Sequence, residues 1–474
     1  MLDEKGNNTC VIGMVGLGVM GRNLLLNMAD HGFTVAGYDN DKNKVDSLRA
    51  EAKDKPVYAT STIDEFLNLL KKPRAIMMLV PAGHAVDSVI QDFLPHLESE
   101  DLLIDAGNSH FTDTNTRLEF LGKKGIHFLG IGISGGEEGA RRGPSIMPGG
   151  VKDAYERIRP VLEAVAAKAG NKPCVTWLGY GSAGHYVKMV HNGIEYAIMQ
   201  LIAESYDLLK RGQGVSNETL AQLFHDWNAS ELNSYLVEIT SHIFAKKDDK
   251  TDGDLIDKIA CVARQKGTGM WTSESGMELQ IPVSVIDVAV NMRDLSVFSE
   301  ERAQAEVLYP RVIEKISSEL TVFANQIKSA LYCGMLVAYA QGFALLKVAS
   351  EKYAYDIDLE AVAATWRAGC IIRAALLENI RDAFHANPDI ENILLDKNLA
   401  KKIMEHQENL RKVIGEACHS GIPASGMMAT LAYLDAFRSA WLPANLIQAQ
   451  RDYFGAHTYA RIDLDGIFHT NWEK

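Results

Sequence analysis

The chain lacks the features that would mark a secreted, membrane-spanning or nucleic-acid-binding protein. Its six cysteines are scattered without a CxxC pair, which argues against a disulfide framework and favours a reducing compartment. Lys and Arg number 48 against 61 acidic residues, and a net charge of −13 disfavours nucleic-acid or anionic-membrane partners. The first residues lack the basic-then-apolar order of a signal peptide, and no uninterrupted apolar run approaches the roughly 18 residues that span a bilayer. We therefore expect a cytoplasmic protein.

The chain also lacks tandem repeats and low-complexity linkers, and its 474 residues are too many for one core. Apolar runs at 11–15, 33–38, 75–80, 102–104, 126–133 and 174–178 alternate with helical patterns, which predicts a parallel sheet. Long helical patterns follow, broken at Pro282, Pro310, Pro423 and Pro443. We predict an α/β Rossmann-like domain at 1–180, a large all-α domain at 181–440 and a short C-terminal tail at 441–474.

A glycine-rich turn lies between the first predicted strand and a helix predicted at 21–31. In such a turn one glycine permits the tight bend, one lets a pyrophosphate approach the backbone, and one allows close helix–strand packing. The phosphates would sit at the helix N-terminus, where unpaired N–H groups attract anions. The turn is formed by Gly16, Leu17, Gly18, Val19, Met20 and Gly21.

The residues after the second predicted strand bear on the choice of cofactor. Asp39 lies about twenty residues beyond the turn, where an acid usually binds the ribose 2′-hydroxyl of NAD. Asn40 and Asp41 follow, and the nearest cations are Lys42 and Lys44. Two carboxylates would repel the 2′-phosphate of NADP unless those lysines turn toward it, so these residues favour NAD.

The strongest indication of chemistry is a polar stripe on a helical pattern. Spacings of three, four and seven place Lys188, His191, Asn192 and Glu195 on one face. The residues around them are apolar, so we expect this polar set to be buried and functional. A buried lysine whose pKa falls toward ~7–8 can remove the proton of an alcohol as hydride leaves, and Glu195 can supply a proton later.

Two predicted strand ends add polar groups at the edge where α/β proteins bind ligands. Asn108 follows the strand at 102–104 and can contact both cofactor and substrate. Ser134, Gly135 and Gly136 follow the strand at 126–133, and such a turn exposes N–H groups and a hydroxyl to a carboxylate or phosphate.

Taken together, these segments resemble the decarboxylating 6-phosphogluconate dehydrogenases, a family of β-hydroxyacid dehydrogenases. The resemblance covers essentially the whole chain and is carried by residues 16–24, 134–141, 143–150, 184–196, 266–269 and 451–459. It implies oxidation of 6-phosphogluconate at C3 with reduction of NAD(P), loss of CO₂ and formation of ribulose 5-phosphate, in the pentose phosphate pathway. It implies no metal.

The resemblance also implies roles for individual residues. Lys188 would take the C3 hydroxyl proton and then polarise the new carbonyl, and Glu195 would help to protonate C1 of the enediol. The hydroxyls and carboxylate of the substrate would be held by Asn108, Ser134, Gly135, Gly136, His191 and Asn192. Its phosphate would be held by Tyr196, Lys266, Thr268, Arg293, Arg451 and His457.

Family members are typically homodimers whose C-terminal tail reaches the partner subunit, which would place Arg451 and His457 in the partner's active site.

Two departures from the family's sequence pattern concern the cofactor. Asp39-Asn40-Asp41 replaces the family's Asn-Arg-Thr, and Val80-Pro81-Ala82 replaces its Val-Lys-Ala. The family norm is NADP, but the missing arginine and lysine favour NAD.

Two other classes share part of this pattern. A β-hydroxyacid dehydrogenase for a small acid would keep the glycine turn and Lys188, but it would be shorter and would lack the phosphate-binding set. A dinucleotide-sensing protein of this fold should have lost Lys188 or Glu195, and both are present.

Overall fold

The computed structural model describes residues 9–473 and opens with a seven-stranded sheet of order β3-β2-β1-β4-β5-β6-β7. Strands β1 to β6 are parallel, and β7 runs antiparallel to β6 at one edge. The strands are β1 (Ile12–Val15), β2 (Val35–Tyr38), β3 (Val57–Thr60), β4 (Ala75–Met78), β5 (Leu102–Asp105), β6 (His127–Ser134) and β7 (Ser145–Gly150). The parallel Rossmann-like sheet predicted from the sequence is confirmed.

Seven helices cover the two faces of this sheet, and each face has its own apolar core. Their inward residues follow helical spacing; in α4, for example, Val86, Ile90 and Phe93 are buried. The helices are α1 (Val19–Asp30), α2 (Lys42–Ala52), α3 (Ile63–Leu69), α4 (His84–Phe93), α5 (Phe111–Gly122), α6 (Gly136–Arg142) and α7 (Lys152–Val165), with a 3₁₀ turn at Leu94–His96.

The sequence prediction was wrong about three segments of this domain. It missed β3, which is only partly buried, and β7, whose Pro148, Gly149 and Gly150 are poor strand formers. It also assigned a strand to 174–178, where the structure has only an isolated bridge between Val175 and Ile146. A short hairpin precedes that bridge and consists of β8 (Lys168–Ala169) and β9 (Lys172–Pro173).

The rest of the chain is almost entirely helical. Two of the predicted helix breaks coincide with prolines, because proline lacks the N–H that a helix interior needs. Pro282 separates α11 from α12, and Pro423 separates α17 from α18. The helices are α8 (Ala183–Asp207), α9 (Asn217–Asn228), α10 (Tyr235–Ala245), α11 (Thr268–Glu278), α12 (Ser284–Val297), α13 (Ser299–Leu308), α14 (Leu320–Lys352), α15 (Leu359–Thr365), α16 (Leu376–Ala386), α17 (Lys397–Ser420), α18 (Ser425–Phe437) and α19 (Ala444–Gly455).

Shorter helical turns join these elements. A π-helical turn at Leu208–Gly212 continues α8, and 3₁₀ turns lie at Leu255–Lys258 and Ile393–Leu395. Within residues 9–473 one helix, α14, is long and apolar enough to cross a membrane by length and composition, but 89% of its most apolar window is buried. It packs against α8 and α17 at the centre of the helical core.

The first turn of α8 lies directly on the sheet. A Cβ at Gly184 would stand 2.3 Å from the carbonyl oxygen of Gly130 and 2.4 Å from that of Met147, so only glycine allows this approach. The same helix then passes through the helical core, where Val187, Val190 and Ile194 are buried. Helix α8 therefore belongs to both halves of the molecule, and its position is fixed relative to the strand ends.

The cysteines differ in their exposure. Four of them are buried, and all six are free. Cys261 and Cys418 are exposed, because they lie on a loop and on the outer side of α17. The C-terminal segment after α18 contains α19 and a two-stranded hairpin of β10 (Tyr459–Ala460) and β11 (Ile467–Phe468).

Candidate active site

The polar stripe of α8 is buried, as its apolar surroundings predict. The Nζ of Lys188 donates a hydrogen bond to Oδ1 of Asn192 at 2.7 Å and lies 3.5 Å from Nδ1 of His191. His191 is fully buried, and its Nδ1 lies 3.8 Å from a carboxylate oxygen of Glu195. The helical spacings thus bring all four side chains together.

Burial changes the protonation of this group. It lowers the pKa of Lys188, although the Glu195 carboxylate opposes the shift. Burial also raises the pKa of Glu195, against the effects of Lys188 and Arg293. Burial and the neighbouring Lys188 charge lower the pKa of His191 well below its ordinary value. The cluster is thus disposed toward a neutral lysine, a neutral imidazole and a protonated carboxyl, which suits acid–base chemistry.

The end of β6 contacts this stripe from the sheet side. The Oγ of Ser134 lies 3.2 Å from Nε2 of His191 and accepts a hydrogen bond from the backbone N–H of Ile371 at 3.3 Å. Gly135 and Gly136 follow at the turn into α6. Ser134 of the predicted Ser-Gly-Gly turn therefore lies beside the buried histidine, and the two glycines lead from it into α6.

A small cleft joins the end of β5 to α8. It is lined by Asn108, Ser109, His185, Lys188, Met189, Asn192, Thr268 and Trp271. Asn108 is exposed on the loop after β5. The cleft therefore brings together side chains from the Rossmann-like domain, from the polar stripe of α8 and from the start of α11.

Four of the predicted phosphate ligands lie at or just before the start of α11, in the middle of α8 and on α12. Thr268 is the first residue of α11, and no side chain caps that helix, so its N–H groups are free to bind an anion. Lys266 lies just before it and is exposed. The guanidinium of Arg293 on α12 stacks on the ring of Tyr196, 3.4 Å from its centre.

Among the described residues 9–473, no contact joins Arg451 or His457 to these phosphate ligands. The guanidinium of Arg451 donates to Gln448 at 3.0 Å, and the ring of His457 packs on Phe454. Both residues are exposed, and their partners lie in the same C-terminal segment.

The glycine turn has the shape of a dinucleotide cradle. A Cβ at Gly21 would stand 2.0 Å from the carbonyl oxygen of Gly16, so α1 packs tightly on the turn. A Cβ at Gly18 would meet nothing within 4 Å, which leaves room for a ligand. No side chain caps α1, whose first turn contains Val19 and Met20. The residues present fit a bound dinucleotide.

The predicted 2′ site lies beside this cradle. The buried carboxylate of Asp39 accepts hydrogen bonds from the backbone N–H of Leu17 at 2.8 Å and of Asp41 at 2.9 Å. Lys44 lies 3.2 Å from the same carboxylate, whereas Asn40 is exposed.

Val80, Pro81 and Ala82 follow β4, the neighbour of β1, so they lie at the edge where the strand order reverses. Within residues 9–473 no group of three His, Cys, Asp or Glu side chains is arranged to hold a metal ion.

Comparison with known proteins agrees with this geometry. A family model described as the NAD-binding domain of 6-phosphogluconate dehydrogenase matches residues 11–179, and one described as the C-terminal domain of that enzyme matches 184–472. The chain belongs to the 6-phosphogluconate dehydrogenase family.

Individual members of the 6-phosphogluconate dehydrogenase family are similar along nearly their whole length. The NADP(+)-dependent, decarboxylating enzyme of Bacillus subtilis is 48% identical over 98% of this chain and 99% of its own. The decarboxylating enzyme of Lactococcus lactis is 48% identical over 97% of this chain and 98% of its own. The Plasmodium falciparum enzyme, solved in its apo form and with NADP+ and 6-phosphogluconate, is 43% identical, covers 98% of this chain and 100% of its own, and superposes with a TM-score of 0.94.

Four residues that line the cleft were missed by sequence reasoning: Ser109, His185, Met189 and Trp271. A signal existed for His185, which lies three residues before Lys188 on the same helical face. Its Nδ1 lies 2.7 Å from the hydroxyl of Thr114, and burial lowers its pKa. Trp271 carried no such signal, because its place beside His110 depends on the packing of α11 against the sheet domain.

Proposed function

We propose that this protein catalyses the oxidative decarboxylation of 6-phosphogluconate to ribulose 5-phosphate and CO₂, with reduction of a nicotinamide dinucleotide. The observation that carries the proposal is the buried Lys188, hydrogen-bonded to Asn192 in a cleft that also contains Asn108 from the dinucleotide-binding sheet. The named activities of the Bacillus subtilis and Lactococcus lactis relatives support the same reaction.

In the first step Lys188 acts as the base. When bound, the dinucleotide supplies the hydride acceptor. The neutral amine of Lys188, favoured by burial, takes the proton of the C3 hydroxyl as the hydride leaves C3. Asn192 accepts a hydrogen bond from that amine and keeps it directed into the cleft.

In the second step the positive charge on Lys188 assists the loss of CO₂. The resulting ammonium stabilises negative charge on the C3 oxygen while the β-keto acid loses CO₂, so no metal is needed to form the enediol. Glu195 then donates its proton toward C1 of the enediol, and burial favours the protonated form that this step requires. His191, held between Ser134 and Lys188, orients the hydroxyls of the substrate.

The phosphate of the substrate would lie at the start of α11. Thr268 and the free N–H groups of that helix, Lys266, Tyr196 and Arg293 supply the donors. Arg451 and His457 complete the set only if a second subunit supplies them, since their contacts within the chain lie in the C-terminal segment.

The dimer proposed from the sequence is supported by large exposed apolar side chains. They occur at the end of α12, on and after α13, and in the C-terminal segment; monomeric proteins rarely expose so many together. Among them are Val297, Phe298, Val307, Leu308, Tyr309, Val312, Trp441, Leu446, Ile447, Tyr453 and Phe454.

For the cofactor, the residues of this chain support NAD. The 2′ site contains the buried carboxylate of Asp39 and the carboxylate of Asp41 at the start of α2, and both repel a 2′-phosphate. The second candidate is NADP, which the name of the Bacillus subtilis relative favours. It would require Lys44 to leave Asp39 and bind the phosphate.

One experiment tests both the reaction and the cofactor. Initial rates with 6-phosphogluconate are measured with NAD and with NADP, for the wild type and for Lys44→Ala, and CO₂ release is followed in parallel. We expect a higher kcat/KM with NAD and no selective loss with NADP in Lys44→Ala. A preference for NADP that Lys44→Ala abolishes would assign the 2′-phosphate to Lys44. The absence of turnover with either cofactor would contradict the proposed reaction.

A further inference from the structure

A buried arginine on α5 joins the loop that carries Asn108 into the cleft to the loop after β4. Through Nη2, Arg117 donates to the carbonyl oxygen of Gly83 at 3.1 Å, and through Nη1 it donates to Asp105 at 3.2 Å and to Ser109 at 3.3 Å. Its Nε donates to Asp87 at 2.7 Å. Its side chain is 5% exposed, so one desolvated guanidinium is shared by the loop after β4, the loop after β5 and the start of α4.

Asp105, which is bound by Arg117, also binds the residues on both sides of Asn108. One of its carboxylate oxygens accepts the backbone N–H of Gly107 at 3.0 Å, and the other accepts the hydroxyl of Ser109 at 2.6 Å. Asn108 itself is exposed in the cleft. Its position is therefore set by its backbone, which is held before and after it.

The other side of the arginine holds the loop at 80–83. This loop contains Val80, Pro81 and Ala82, the cofactor residues predicted from the sequence, and ends at Gly83. The two loops also touch, because a Cβ at Gly107 would lie 3.3 Å from the carbonyl oxygen of Val80. Arg117 thus spans the junction between a cofactor loop and a loop that faces both cofactor and substrate.

We propose that Arg117 is a positioning residue that fixes the distance between the loop at 80–83 and Asn108, and so aligns cofactor and substrate for hydride transfer. This inference rests on the proposed function, which makes these two loops part of the site. Its geometric basis is the planar guanidinium, whose several donors hold four partners at once. A lysine in its place keeps one positive charge beside Asp105 but cannot hold both loops.

The same strand provides a matched control at its other end. The backbone N–H of Arg74 donates to Asp101 at 2.6 Å, and its Nη1 donates to the same carboxylate at 2.9 Å. The pair is as buried as Arg117 and Asp105, with side chains 7% and 1% exposed against 5% and 1%. It lies at the N-terminal ends of β4 and β5, away from the cleft, so it isolates the contribution of a buried pair to stability.

The experiment compares Arg117→Lys with Arg74→Lys in the full chain. We measure the melting temperature, the affinity for NAD and NADP by calorimetry, and kcat and KM for cofactor and 6-phosphogluconate. Both variants should melt at similar, lower temperatures. Only Arg117→Lys should bind dinucleotide more weakly and raise both KM values, with a loss of kcat/KM of roughly 10- to 100-fold. Equal kinetic effects in the two variants would overturn the inference and leave Arg117 a stabilising role alone.

A double-mutant cycle tests the route of the effect. If Arg117 acts through Asn108, adding Arg117→Lys to Asn108→Ala should raise the KM for 6-phosphogluconate little beyond the value for Asn108→Ala. Fully additive effects would contradict that route.

If Arg117→Lys does not fold, Ser109→Ala replaces it and should raise the KM values in the same way but less. Unchanged KM values would overturn the inference. Calorimetry also separates the two proposals, because a wild type without turnover refutes the reaction while the comparison of dinucleotide affinities still tests Arg117.

Discussion

Helix α8 and the C-terminal segment reverse the usual placement of polar and apolar residues in opposite ways. Helix α8 buries Lys188 and His191 among apolar neighbours. In the described residues 441–473 only Asp452 is buried, while Phe454 is 73% exposed. A polar group enclosed by a core already has its partners within the chain. Exposed aromatic side chains around an ordered carboxylate instead indicate a surface that is completed by another molecule.

Asp452 explains how the C-terminal segment is ordered without an apolar core. Its carboxylate accepts the backbone N–H groups of Thr458 and Thr470 and the side-chain N–H groups of His469 and Trp472. Burial alone raises the pKa of Asp452, but these hydrogen bonds outweigh it and lower the pKa to about 2. The carboxylate is therefore ionised above about pH 2, and this network holds the loop that carries His457.

The largest effect on activity is expected from α8, whose polar side chains are enclosed by the core. Lys188→Met removes the base and the charge that stabilises the enediolate, and kcat should fall roughly 10³- to 10⁴-fold while the melting temperature falls little. Lys347→Met is the control, because Lys347 is also largely buried but pairs with Glu391 outside the cleft. Steady-state rates of both variants check this prediction. A similar loss in both would mean that Lys188 has no special role.

Glu195→Gln should lower kcat by about 10²-fold and change the pH profile. Burial lowers the pKa of Lys188, so wild-type activity should rise with pH as that amine loses its proton. Burial raises the pKa of Glu195, so activity should fall at higher pH, where the acid is lost. The glutamine variant should keep the acidic limb and lose the alkaline one. An unchanged alkaline limb would show that another group donates the proton.

Arg451→Ala should raise the KM for 6-phosphogluconate by about 10- to 100-fold through the loss of a charged hydrogen bond. It also tests whether the C-terminal segment serves the partner. Mixing it with Lys188→Met after dissociation and reassociation should restore about a quarter of wild-type activity, because half of the dimers then hold one intact site. Each variant reassociated alone is the control. No recovery from confirmed heterodimers would place Arg451 in its own subunit's site.

The smallest expected effect concerns the network around Asp452. Asp452→Asn removes a charged acceptor of four hydrogen bonds, so the loop that carries His457 should loosen. We expect the KM for 6-phosphogluconate to rise about tenfold, with kcat and the KM for the cofactor nearly unchanged. Asp435→Asn is the control, since Asp435 pairs with Arg411 on α17 and with Arg438 just after α18. A fall in kcat without a change in KM would contradict this account.

The sequence predicted α8 and its polar face because all of the information is local. Four polar residues at helical spacing among apolar neighbours have one face to share. Similarly, the glycine turn and Asp39 lie within one strand–helix–strand unit. The Rossmann-like class followed from the alternation of strand and helix patterns along the chain.

Features that depend on contacts distant in sequence could not be predicted. Strand β7 is recognisable only from its antiparallel pairing with β6. Trp271 reaches the cleft because α11 packs on α8, and its own segment shows no pattern for this. Thr268 was predicted only through the family resemblance and not from a local pattern. The role of Arg117 is similar, since its partners lie in the loop after β4, in the first turn of α4, at the end of β5 and in the loop after β5. The sequence did place Arg451 and His457 in a tail, but their place in an assembly depends on a second chain.

The contact of Gly184 with the carbonyl oxygens of Gly130 and Met147 has a consequence for motion. The backbone of α8 packs directly on the backbone of the sheet, with no side chain between them that could rearrange. The sheet and the helical half therefore cannot move apart about α8 without breaking this contact. Entry of substrate and escape of CO₂ are therefore assigned to the surrounding loops, on the time scale of loop motion rather than that of domain opening.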